Sequence, residues 1–60
     1  MVYKTIHEAA ARGDLADVKR HVQKGSDVNA RDDEAWTPLM LATCNDHLDV
    51  VEFLKQHGAK

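Results

Sequence analysis

The feature that most constrains this chain is that it superposes on itself, without a gap, at an offset of 33 residues. Gly25 falls on Gly58, Val18 on Val51, Leu15 on Leu48, Ala9 on Ala42 and Tyr3 on Trp36. Aromatic meets aromatic, and apolar mostly meets apolar. Units this short cannot bury an apolar face alone, so the chain must fold by stacking one unit on the next. Residues 1–60 therefore read as a single domain, with one repeat over about 3–30 and a second over about 36–60.

Each unit carries its own start and stop signals. Thr5-Ile6-His7-Glu8 has the pattern of a capping box, in which the hydroxyl reaches forward and the carboxylate back. The alanine-rich stretch that follows favours helix, and Gly13 can end it at positive φ. Asp14 then caps a second helix, Asp17 favours its first turn, and Leu15, Val18 and Val22 form one apolar stripe up to Gly25. In the second unit Thr37 is the cap and Pro38 fits the first helical position, where no N–H is needed. A further helical pattern runs from Leu48 to Gln56 and should bury Leu48, Val50, Val51, Phe53 and Leu54.

The stretch Trp36-Thr37-Pro38-Leu39-Met40-Leu41-Ala42, the exits Gly58-Ala59 and Ser26-Asp27-Val28-Asn29-Ala30, and the period resemble an ankyrin repeat. The resemblance covers almost the whole chain. It implies an all-α solenoid of two helix-turn-helix repeats joined by a hairpin-like finger. It also implies that His7 serves as a buried hydrogen-bond partner in the helix, a slot that Met40 fills in the second repeat. The chain departs from the pattern in three places. Lys4 stands where a threonine is expected, and Asn45-Asp46 replaces a glycine turn. Ala35 takes a glycine position, which costs roughly 1 kcal/mol at positive φ and predicts a looser or differently turned finger tip.

The two halves differ where it matters. Glu8, Asp17 and Arg20 correspond to Leu41, Val50 and Phe53. A polar face marks the end of a stack, so the first repeat reads as an N-terminal cap with those three residues in solvent, and Leu41, Val50 and Phe53 pack against it. On the far side of the second repeat, Leu39, Ala42, Leu48 and Val51 would form a bare apolar strip. Because about three repeats are usually needed for stability, the expectation is a fragment, an oligomer or part of a complex.

Composition narrows the function. A 60-residue chain buries only about 60% of its unfolded surface. The formal net charge of −2, with mixed signs along the chain, offers no tract for nucleic acid or an anionic membrane. The single cysteine, Cys44, forms no internal disulfide, and no run suits a signal peptide or membrane span, so an intracellular, cytoplasmic setting is expected. His7, His21, His47 and His57 with Cys44 could suggest a metal-binding or hydrolytic domain, but they lack convergent spacing, and Cys44 and His47 flank a helix break. His21 is expected to pack by its ring, and His47 and His57 to be solvated helix-end residues. Asp32-Asp33-Glu34 lacks the glycine and spacing of a calcium loop and reads as a solvated charge run.

No catalytic constellation or cofactor motif stands out, so the chain reads as a non-enzymatic protein-binding module. By the resemblance, the binding face is the concave side: Tyr3, Ala11 and Arg12 from the first repeat, and Arg31, Asp33, Glu34, Trp36, Cys44 and Asn45 from the second. Trp36 is either an interface anchor or local core beneath the finger. The alternative reading is self-association, as a homo-oligomer, through Leu39, Ala42, Leu48 and Val51.

Overall fold

Thr5 and Thr37 begin the first helix of each pair as expected. In the computed structural model, which describes residues 2–60, their hydroxyls accept the backbone N–H of Glu8 at 3.1 Å and of Met40 at 3.2 Å. Four helices result: α1 (Ile6–Arg12), α2 (Leu15–Gln23), α3 (Pro38–Cys44) and α4 (Leu48–Gln56). No strand occurs among the described residues, so the finger between α2 and α3 is built of turns.

The 33-residue repeat holds at the level of single hydrogen bonds. Past α1, Asp14 N–H donates to Ala9 C=O at 3.1 Å and Gly13 N–H to Ala10 C=O at 3.2 Å. Past α3, His47 N–H donates to Ala42 C=O at 2.9 Å and Asp46 N–H to Thr43 C=O at 3.1 Å. These paired bonds satisfy carbonyls that a helix end otherwise leaves open, and they require a left-handed residue. Gly13 takes φ 75° and Asp46 takes φ 60°. Asp46 thus adopts the glycine conformation, in a region that Asn and Asp enter more readily than most residues.

One core joins the pairs. Ile6, Ala9, Ala10, Val18, Ala42, Val50 and Leu54 are buried, with Tyr3, Leu15, Val22, Val28, Leu39, Val51, Phe53 and Ala59 packed around them. The small alanines let α1 lie close against α3, and α4 packs on both α3 and α2. Phe53 meets the first pair as expected, with Lys19 Nζ 5.7 Å from its ring centroid. Asn29 ties the two exits together: its Nδ2 donates to Gly58 C=O at 3.1 Å and its Oδ1 accepts Lys60 N–H at 2.9 Å.

Four expectations are corrected here. Asp17 does not lie in solvent but is 3% exposed. Its Oδ1 accepts Arg20 Nε at 2.7 Å and its Oδ2 accepts Tyr3 N–H at 2.9 Å. Tyr3 C=O in turn accepts from His21 Nε2 at 2.9 Å and Arg20 Nη2 at 3.3 Å. An extended segment with open backbone groups covers this end of α2, and buried polar side chains answer it. Glu8 is exposed as expected, while Arg20 is only half-exposed.

Leu48 is 67% exposed, against its place among the residues α4 was expected to bury and in keeping with its place in the bare strip. Ala42 is fully buried and so cannot belong to an exposed strip, whereas Leu39 and Val51 are half-buried. His47 is not a solvated helix end: its Nε2 donates to Ala11 C=O at 3.0 Å, across to the first pair. Its ring would lie 2.5 Å from a Cβ added at Gly13, so that position excludes side chains for two reasons. His57 is exposed, with its ring on Phe53 at 4.2 Å between centroids and 38° between planes.

Candidate functional site: the groove between the first helices and the finger

The tip of the finger is a hydrogen-bonded turn built on Asp32. Ala35 does take φ 65°, but Asp32 closes the turn around it. Asp32 Oδ1 accepts Glu34 N–H at 2.9 Å and Trp36 N–H at 2.8 Å. Its backbone N–H donates to Trp36 C=O at 2.9 Å, and its C=O accepts Ala35 N–H at 2.9 Å. An aspartate that receives its own downstream N–H groups fixes such a turn without glycine. Asp32 is therefore a structural residue of the finger and not part of a free charge run.

His7 holds the finger's base against α1. Its Nε2 donates to Ala30 C=O at 2.7 Å, so the hydrogen bond implied for that slot is present, though the ring is half-buried and not buried. Between α1, the start of α3 and the finger lies an open cavity of about 540 Å³, lined by Thr5, His7, Glu8, Ala11, Arg31, Asp32, Asp33 and Leu41. Ala11 and Leu41 give it an apolar floor, and both are half-buried. Among the described residues, the side chains of Glu8, Arg31 and Asp33 have no hydrogen-bond or ion-pair partner.

Of the residues expected to bind a partner, Arg31 and Asp33 come together in this groove, with Ala11 beneath them. Arg12, Glu34, Cys44 and Asn45 are exposed but do not line it. Trp36 is half-buried at the base of the finger, and Tyr3 is half-buried with its backbone bound to α2. Sequence reasoning missed Thr5, His7, Glu8, Asp32 and Leu41 as groove residues. The helical period carried a signal for part of this: positions 7, 8 and 11 share one side of α1.

The histidines do not converge. His7, His21 and His47 each give Nε2–H to a backbone carbonyl of a different segment. Among the described residues, no three His, Cys, Asp or Glu side chains are placed to hold a metal ion. Among the described residues no helix is long and apolar enough to cross a membrane.

The acidity of Asp17 is clearly altered. The Arg20 hydrogen bond, helped by the Tyr3 N–H and the nearby positive charges of Arg20 and His21, outweighs the opposing effect of burial. Together they hold its carboxyl below the ordinary 3.8.

Residues 6–60 match the family model described as ankyrin repeats (3 copies). The chain is 47% identical over 58 residues to the human ankyrin repeat domain-containing protein 7, covering 95% of this chain and 23% of that protein. It is 39% identical over 54 residues to the human protein phosphatase 1 regulatory subunit 27, covering 90% and 35% respectively. It is 39% identical over 56 residues to the human DNA-binding protein RFXANK, covering 92% and 22%. The chain thus spans about a third or less of the length of these relatives. Ankyrin repeats are in general protein-interaction modules, and relatives with names as different as these share the scaffold. Match, period and four-helix architecture agree, and the chain belongs to the ankyrin repeat family.

Proposed function

We propose that this chain is a protein-binding module that takes a segment of its partner into the groove between α1, α3 and the finger. One observation carries the reading: the cavity of about 540 Å³ combines an apolar floor with charged side chains that have no partner among the described residues. Arg31 and Asp33 are its finger-side contacts, and Trp36 stabilises binding from the finger's base. Arg12, Glu34, Cys44, Asn45 and Tyr3 are peripheral to it.

The reading assigns the chain binding and no catalytic step, and it is supported by His7, His21 and His47 serving as ties to backbone carbonyls. It places the module inside the cell, where an exposed thiol such as Cys44 stays reduced. Peptides selected for binding to the folded chain test it. Their amide chemical-shift changes should centre on Ala11, Leu41 and residues 31–33. Trp36→Ala should weaken binding by about 2 kcal/mol with a smaller effect on the thermal midpoint. Shift changes confined to α2 and α4 would contradict it.

A second reading has its own observation. Leu48 is 67% exposed and Leu39 and Val51 are half-exposed, while the equivalent Ile6 and Val18 are buried. Self-association of two copies through Leu39, Leu48 and Val51 would cover this face in a closed, two-fold contact. Sedimentation over a dilution series tests it: the mass should fall on dilution and drop to monomer in Leu48→Glu. A monomeric mass at every concentration rules it out.

A further inference from the structure

Resting on the groove reading, we infer that the partner segment presents a long basic side chain, lysine or arginine, to this site. Three carboxylates line the groove, from Glu8 on α1 and from Asp32 and Asp33 on the finger, against the single guanidinium of Arg31. His7 also faces it, but its Nε2–H is spent on Ala30 C=O. Asp32 is partly used as well, since its Oδ1 receives two backbone N–H groups. Glu8 and Asp33 keep whole carboxylates, one contributed by the helix and one by the finger.

The floor beneath them is Ala11 and Leu41. An apolar floor below paired carboxylates matches the two-part chemistry of lysine and arginine, whose methylene stem seeks apolar surface while the charged head seeks an acceptor. An acidic segment would meet an excess of like charge, and a purely apolar one would strip water from Glu8 and Asp33 without replacing it. The carboxylates are also not a metal cradle, since among the described residues no three metal-ligating side chains converge.

The probe is a library of random linear 12-residue peptides displayed for selection on the folded chain. Selected peptides should share one lysine or arginine position. Replacing that residue by glutamine should weaken binding about tenfold. The double variant Glu8→Gln with Asp33→Asn should lose the same factor, and combining peptide and protein changes should cost no more than either alone. Arg31→Gln should bind more tightly, and raising salt should weaken the wild-type complex and leave the complex of the Glu8→Gln, Asp33→Asn double variant nearly unaffected. The double variant is isosteric, both protein variants leave Asp32 in place, and their thermal midpoints are measured alongside.

Peptides that perturb Ala11 and Leu41 yet share no basic position would overturn this inference and leave the groove reading standing. So would basic peptides whose affinity ignores Glu8 and Asp33. Peptides that map elsewhere, or a selection that yields none, would overturn both.

Discussion

At positions 17 and 21 the first helix pair buries an aspartate and a histidine; 33 residues on, at 50 and 54, the second pair buries a valine and a leucine. The backbone is the same and the burial is the same, but the cover differs. The polar pair meets the backbone of Tyr3, an extended segment whose N–H and C=O have no strand or helix to satisfy them. Val50 and Leu54 sit in the core shared by four helices, whose backbone groups already bond to one another. The chemistry of a buried position in this fold is therefore set by what lies over it. A segment outside regular structure calls for hydrogen-bonding side chains, and a packed helix calls for hydrocarbon.

The largest predicted effect sharpens the apolar half of this comparison. Leu54→Ala removes the largest fully buried side chain and should cost about 2 to 5 kcal/mol. At roughly 0.05 to 0.15 kcal/mol per residue, a chain of this length has only about 3 to 9 kcal/mol in total. Urea titration should find the variant largely unfolded. A cost under about 1 kcal/mol would show that the second pair is not the packed centre.

The polar half is tested through Asp17→Asn. The folded carboxyl titrates below its ordinary 3.8, so the stability it contributes is present above that value and is lost as pH falls through the lowered folded value. At pH 7 the variant should be clearly less stable than wild type, and thermal midpoints of the two should converge as the solution is acidified below about pH 4. Midpoints that differ by a constant amount at every pH would mean that the charge of Asp17 does not matter.

The turns offer a smaller contrast. Gly13→Ala should cost more than about 1 kcal/mol, because φ is 75° and the new Cβ would strike His47. Asp46→Gly, at the matching turn, should gain about 0.5 to 1 kcal/mol, and Ala35→Gly a similar amount. Denaturant midpoints moving together in both turns would break the distinction. Smallest of all, Glu8→Ala should change stability by no more than about 0.5 kcal/mol, although Leu41, its counterpart, is half-buried in the lining of the groove.

What was legible in the chain follows the same division between local and distant causes. Caps, helix bounds, left-handed turns and the four-helix architecture were legible, because Thr5, Gly13, Asp14, Thr37 and Pro38 act within a few residues of themselves. Asp17 was misread because its partner Tyr3 lies 14 positions away on a segment with no periodic signal. His47 was misread because it reaches back 36 positions to Ala11, and nothing in its neighbours announces that bond. Ala42 looked like part of an open strip because equivalence identifies a face but not its depth, and a small side chain on a tightly packed helix is covered by its own neighbours. The groove was half legible: Arg31 and Asp33 belong to it, but only the folded finger brings Glu8 and Leu41 opposite them.

The two pairs share one stacking face, covered in the first and open at Leu48 in the second. Leu15 and Leu48 occupy the same place in that face, one half-buried against the core and the other 67% exposed. Thermal melts of Leu15→Glu and Leu48→Glu, run at a protein concentration too low for self-association, compare them directly. Leu15→Glu should lose about 2 kcal/mol or more by forcing a carboxylate against apolar neighbours, and Leu48→Glu should stay within about 0.5 kcal/mol of wild type. Equal losses in the two variants would contradict the account.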